Sequence, residues 1–530
     1  MATLPMSNNA LSLLSRVTYG LNQELVQAFL SLGKDDTERW KKFVDDQLSS
    51  ANFIDEKVEK KIATLDLKVL NKPLNQLWRE HNLSARAMRQ TPAEKAPSTK
   101  KELRAARRER RDLALEPVQV LEAATWIRMV HSRWQVYERM VEFWHDHFNI
   151  FGYEQRTAPG LLALNRDAIR PMALGNFRAL LGQACRNPAL LYYLDNAYNQ
   201  SSNPNENFSR ELFELHTLGA ENYLGTLDRE SVEKGRDGFV AGYVDGDVYE
   251  SARAFTGWRV ADGSVGLDKN TGEFHYHEPW HDRFQKIVLG QKIPEHQAPL
   301  KDGEDVLNAL SAHPGTARHL MRKLCRRFVS DTPTEVLVNR LAEFWLSRKD
   351  SPTQIKDTLL QLFYSKEFLE GKDFKFKRPV DYFASLLRIL SPDFSPSEKF
   401  IQATQKSGQR LFGWKTPDGP PDVSAPWQSP QSLIDRWRTA QQIIRQEVPG
   451  CPIKWPDTLK VSETSPQILS KVLFEAILMR EPDKQFLETL TLLAAGGRRT
   501  QTALPTELLE ERIQLVAELC VLSPEFQVRS

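Results

Sequence analysis

The chain has 530 residues, of which 41% are hydrophobic and 26% charged, and its formal net charge is only +2. That composition excludes a disordered chain, and the small net charge excludes a global field able to recruit nucleic acid or an anionic membrane. Four scattered cysteines, Cys185, Cys325, Cys451 and Cys520, exclude a zinc knuckle and a redox dithiol, because none lies in a C-x-x-C or C-x-x-H spacing. Their scarcity suits a reducing compartment. The first twenty residues lack the basic region and apolar run of a signal peptide, and no stretch is long and apolar enough for a membrane span, so a cytoplasmic protein is expected.

In chain order, helical periodicity predicts amphipathic helices over 8–31, 36–49 and 56–83, the last broken near Pro73. Residues 84–112 hold ten Lys/Arg against four Asp/Glu, which leaves the rest of the chain near −4. No aromatic residue interleaves this run to stack on bases, so it reads as a solvated, partly disordered linker running into a charged helix, and nucleic-acid binding is disfavoured. A long aromatic helix is predicted over 117–150, followed by short helices over 159–196 punctuated by Pro171 and Pro188. Helices are also expected over 204–218 and 245–257. Between 258 and 290, short β-like runs flank turn dipeptides, which predicts a small hairpin or ribbon. Helical patterning resumes over 301–331, 334–348, 351–369 and 377–391. Residues 406–430 are too rich in Pro and Gly for regular structure, and a loop of that length is read as a packed lid. Three further helices are expected over 464–530.

The expected fold is therefore mainly α, a multi-helix globular array with one small β excursion. It divides into N-terminal helices (1–83), a basic linker (84–116), a motif-bearing core (117–300), a helical region holding the 406–430 loop (301–445) and C-terminal helices (446–530).

Within NPNENFSRELFELHTLG, residues 203–219, Asn203 suits an N-cap, Pro204 the first helical position and Gly219 the position after the last turn. At roughly 100° per residue, Phe208, Leu212, Leu215 and Leu218 form the buried stripe, and Glu211 projects from it. Asn207, Glu211 and Glu214 form a row along one edge, with Glu206, Arg210 and Thr217 on the far side. A carboxylate in such a stripe needs a cation, a metal ion or a proton. Three readings compete: a structural salt bridge, for example to Arg253 or Arg166, a metal ligand, or a general acid or base.

Histidines cluster in VEFWHDHFNIFGY, with His145 and His147, and in FHYHEPWHD, with His275, His277, His281 and Asp282. Residues two apart diverge on a helix, so His147, which phases with Met140, Phe143 and Trp144, is favoured over His145. With the acidic row these histidines suit a divalent transition metal: zinc, iron, manganese or copper. No H-E-x-x-H, EF-hand, Walker A or G-x-S-x-G signature is present, which disfavours nucleotide hydrolysis and serine hydrolase chemistry.

Several motifs in order resemble the bacterial domain-of-unknown-function family 1800: LLSRVTYGL (13–21), FWHDHF (143–148), IRPMALGNFRALL (169–181), NPNENFSRELFELHTLG (203–219), VYESARAFTGW (248–258), HDRFQKIVLG (281–290), SGQRLFGWKTPDGPPD (407–422) and LSPEFQVR (522–529). The resemblance implies no established activity. It places recurring polar positions on His147, Asn205, Glu206, Asn207, Arg210, Glu211, Glu214, His281 and Asp282. His145 fits the pattern, whereas His216, His275 and His277 depart from it. It also implies a partner, since members are commonly encoded beside a second uncharacterised family, numbered 1501, that is similar to alkaline phosphatase and sulfatase folds.

Two functional expectations follow. In the first, the protein is a metal-dependent enzyme, oxidative or hydrolytic. His147, Glu211, Glu214 and His281 are the ligands, Glu206 and Asp282 move protons, Arg210 binds an anionic substrate, and the 406–430 loop covers the site. In the second, it is a non-catalytic helical scaffold or maturation factor for a partner protein, and the same polar motifs form a buried network.

Overall fold

The computed structural model describes residues 6–49, 53–65, 67–89, 99–235, 238–264, 267, 269–371, 375–456, 459, 464–480 and 483–529. The protein is mainly helical, with three small two-stranded antiparallel ribbons. Among the described residues, no helix is long and apolar enough to cross a membrane.

The N-terminal pattern over 8–31 is two helices, Asn8–Val17 and Gln23–Ser31, separated by a turn at Gly20. Gly20 has φ +129°, and a Cβ there would meet the backbone of Ser385 at 2.8 Å. Close approach to a distant helix therefore sets this break. Asp36–Ser49 forms as expected, and the third stretch yields Glu56–Thr64 and a short helical run after Pro73.

The basic stretch differs most from expectation. Residues 90–98 lie outside the described part, but Lys100–His131 is one 32-residue helix. Thr99 and Glu102 cap it reciprocally, and its Ala, Leu, Glu and Arg content favours helix, so the charged helix expected after the linker already begins at Lys100, inside the 84–116 span assigned to the linker. Its first turns are exposed, as a solvated run requires. The predicted 117–150 helix is correspondingly two. Ser132 accepts from the Trp134 amide, and the Gln135 side chain donates to the Met129 and Ser132 carbonyls, which ends one helix and starts the next, Gln135–His147.

The ribbon appears as Trp258–Asp262 paired with Asn270–Tyr276, bulged between Val260 and Asp262, and a second ribbon joins Lys286–Val288 to Gln291–Ile293. The third pairs Lys375–Phe376 with Val528–Arg529 and so carries the end of the chain into the protein interior. The 301–331 pattern splits at Pro314 into Lys301–Ala312 and Pro314–Phe328, while 377–391 appears as Pro379–Leu390. Pro466–Leu478, Lys484–Ala495 and Thr506–Leu522 supply the three C-terminal helices.

Among the described residues two large apolar cores result, with two small satellite clusters around Val58 and Val69. One gathers the N-terminal helices, Gln135–His147 and the helices up to residue 370. The other is built on Pro379–Leu390, Pro430–Ile444 and the C-terminal helices. Gln135–His147 and Pro379–Leu390 face each other across the seam between these cores.

Candidate functional site

Gln135–His147 is buried along nearly its whole length, yet Arg139, Glu142 and Asp146 repeat on one of its faces at i, i+3 and i+7. Those charges meet partners brought in by three other segments. The Arg378 guanidinium donates to Glu142 at 2.6 Å, to Asp146 at 2.8 Å and to Asp381 at 3.2 Å. Arg327 pairs with Glu142 at 3.2 Å, with Asp146 at 2.7 Å and with Asp422. Asp381 also receives Arg139 and the near-terminal Arg529, and the Tyr19 hydroxyl donates to Glu142 at 2.7 Å. Burial alone would raise the Asp381 carboxyl, but Arg139, Arg529 and Arg378 hold it well below the usual range. Asp422 is likewise lowered against its burial by Arg327, Lys375 and Arg378.

The 406–430 loop is part of this construction. Asn149 donates to the carbonyls of Trp414 and Thr416, Arg410 pairs with Glu122 at 3.0 Å, and Asp422 enters the ion network. Gly419, with φ +76°, sits so close to the carbonyl of Asp146 that a Cβ would lie 2.2 Å from it. The loop thus closes over the end of Gln135–His147, as its composition suggests, and encloses a cavity of about 30 Å³ beside His145 and Asp146. That is room for a water or two rather than a substrate.

His147 is buried and fully engaged. Its Nε2–H donates to the His216 carbonyl at 3.1 Å, and the His216 Nδ1–H donates back to the His147 carbonyl at 2.9 Å. A ring whose Nε2 donates leaves Nδ1 as acceptor, and the Lys323 amine lies 3.0 Å from it. Burial, then the Lys323 charge, keeps His147 neutral, and burial takes His216 down to about 3. Burial also lowers the Lys323 amine to about 8. His145, expected to project away, is buried as well because the helix is enclosed on all sides; its Nε2 lies 2.7 Å from the Asn165 amide.

The 203–219 stretch forms a shorter helix than its caps suggest, Asn207–Glu214. Glu206, not Asn203, occupies the N-cap and makes no side-chain capping bond; just before it Asn205 accepts from the Asn207 amide at 3.0 Å, while the amide of Asn205 is held by Asn199. Beyond Glu214 the chain unwinds, with the Gly219 amide reaching the Phe213 carbonyl at 3.0 Å, and this turns His216 inward. Thr217, expected on the far side, is fully buried and donates to the Leu212 carbonyl. Arg210 is taken up by Glu206 at 3.1 Å and Asp245 at 3.2 Å. Neither suggested cation reaches Glu211: Arg253 pairs with Glu250 and Asp282, and Arg166 with Asp167. Among the described residues, Glu211 and Glu214 make no side-chain hydrogen bond or ion pair. Partial burial, then the charges of Glu214 and Asp418, raises the Glu211 carboxyl.

His281 and Asp282 belong to a second closed network. Arg253 grips Asp282 through Nε at 2.8 Å and Nη2 at 3.0 Å. His281 directs Nδ1 to the Thr256 carbonyl at 2.9 Å and Nε2 to Asp302 at 3.3 Å, and Lys286 bonds Asp302 at 2.6 Å. Burial opposes ionisation of Asp282, but the Arg253 bond, the Phe284 amide and Lys286 lower its carboxyl. A proton-transfer role would need it near neutrality.

Among the described residues, no group of three or more His, Cys, Asp or Glu side chains is placed to hold a metal ion. Sequence reasoning missed Glu142, Asp146, Arg327, Arg378, Asp381, Asp422 and Arg529. For Glu142 and Asp146 the signal was the charged row on an otherwise aromatic helix; the other five lie on distant segments and gave none.

Fold and site together define a mainly helical protein whose polar motifs close on one another at a seam between two cores. A family described as a protein of unknown function (DUF1800) matches residues 12–528, and the chain belongs to that family. No curated protein and no solved structure matches it.

Proposed function

We propose that the protein is a non-catalytic helical scaffold for a partner protein. One observation carries this reading: apart from Glu211 and Glu214, the motif residues assigned a chemical role spend their donors and acceptors on partners within the chain, so they hold a shape and do not present reactive groups. Arg210, Asp282, His147 and His281, assigned to substrate, protons and metal on sequence grounds, each already face partners within the chain. Beside the Arg253–Asp282 network the surface carries Tyr249, Phe284 and Ile287, large apolar side chains left exposed, with Phe284 at 67%. Exposed apolar side chains of that size, rimmed by polar residues, suit protein docking. The partner that the resemblance suggests is a protein of family 1501.

Co-expression with a family 1501 protein, followed by size-exclusion chromatography with light scattering, tests the proposal. A complex is expected, weakened about tenfold or more by the pair Phe284→Asp and Ile287→Asp, since such anchors dominate interfaces. Absence of a complex at tens of micromolar, or a complex indifferent to the pair, contradicts it.

A second reading retains the metal. Glu211 and Glu214 have unspent carboxylates beside Asp418, and a divalent transition metal would satisfy them. It ranks second because the histidines assigned with them have other partners. Metal analysis of Glu211→Gln/Glu214→Gln protein decides between the two readings.

A further inference from the structure

A cavity of about 400 Å³ opens at the seam, between Asn8–Val17, one face of Pro379–Leu390, the end of Pro466–Leu478 and the C-terminal ribbon. Its size is that of a small-molecule site, and Leu11, Leu21, Ile389 and Ile477 make much of its wall apolar. Tyr19, Asp381 and Arg529 of the ion network form part of its wall.

Lys377 lies in its wall. The residue is only 9% exposed, and among the described residues its amine has no hydrogen-bond acceptor and no carboxylate within ion-pair distance. Its one close partner is the Phe526 ring, whose centroid is 4.1 Å from Nζ. A buried, unpaired ammonium is costly, and a fold that keeps one against a cavity leaves an anion-sized deficit. The cavity's other charges do not fill it. Asp381 is spent on Arg139, Arg378 and Arg529, and Glu525 lies 3.8 Å from Arg480.

We propose that this cavity binds a small amphiphilic carboxylate, its head on the Lys377 amine and its tail along the apolar wall. The Lys377 amine, left without a carboxylate among the described residues, matches the single charge of a carboxylate, and Nε and Nη1 of Arg529, a residue of the same wall, are further donors without a hydrogen-bond partner there. The apolar wall requires a hydrocarbon body.

Burial, then the Arg529 charge, lowers the Lys377 amine to about 7. Asp381 opposes this, whereas Arg436 and Arg480 add to it, and the Tyr19 hydroxyl in the same wall stays protonated because burial and Glu142 raise it. An arriving carboxylate favours the charged amine, so binding takes up a proton near neutral pH and weakens as pH rises past the free amine's value.

Isothermal titration of the full chain with octanoate tests this, with octanol as the control. Octanoate should bind at pH 7 and about tenfold more weakly at pH 9, and titrations in two buffers of different ionisation heat should show proton uptake at pH 8. Lys377→Met should weaken binding about tenfold or more without losing the fold, because removing an unpaired buried charge relieves a cost, and Lys377→Arg, which keeps the charge, should largely keep binding. The wild-type proton uptake stands even if a variant fails to fold. No octanoate binding, equal binding of octanol, or binding without proton uptake would overturn the proposal.

Discussion

The Gln135–His147 helix and the Asn207–Glu214 helix both carry acids along a buried face, and the chain treats them differently. On the first, Glu142 and Asp146 sit between two arginines that each grip three carboxylates. On the second, Glu211 and Glu214 are half-buried and unpaired, and burial raises the Glu211 carboxyl. The difference teaches that an acid in a buried stripe is a structural element when cations arrive from elsewhere in the fold. It is a candidate contact for a partner or an ion when none does.

Removing a shared cation should separate the two regions most sharply. Arg378→Met leaves three buried carboxylates with one fewer partner and is expected to cost about 3–5 kcal/mol in urea unfolding. Acid comes next. Asp381 and Asp422 have folded-state values depressed below their unfolded ones, so their stabilisation is complete above the unfolded value of about 4 and is lost as pH falls below it. Unfolding free energy measured from pH 7 to pH 2 should fall steeply in that window, and a flat profile would remove the network's role.

Smaller effects probe the neighbouring contacts. His216→Phe gives up the bond to the His147 carbonyl but also deletes a buried Nε2 without a partner, so a loss of about 1 kcal/mol is expected by thermal or urea unfolding. Glu211→Gln should act in the opposite direction. Its carboxyl is raised in the folded state, so ionisation above that value opposes folding, and the penalty vanishes below the unfolded value. The variant is expected to be more stable at pH 7 by less than about 1 kcal/mol, discounted for its exposure, with the gain disappearing toward pH 4.

Most helices were legible because their apolar periodicity is strong, as in Asp36–Ser49 and Pro379–Leu390. The β ribbon was legible from its turn dipeptides. The break at Gly20 was not, since it depends on Ser385, far along the chain. In the basic run the charged helix was legible but its start was not, because charge density resembles a linker, while capping by Thr99 and good helix formers set the boundary at Lys100. For the site, motif membership was legible but roles were not. FWHDHF drew attention to His147 and SGQRLFGWKTPDGPPD to a covering loop, whereas Asp146, Gly419 and Asp422 in the same motifs join the loop to the core. The partners of those residues come from segments hundreds of positions away, and a pattern read along one helix does not contain them.

On the scaffold reading the motif residues hold no metal ion. Quantitative metal analysis of tag-free protein, in the wild type and in a His147→Ala/Glu211→Ala double variant, should then find well below one ion per chain in both. One tightly bound ion per wild-type chain, lost in the double variant, would contradict it.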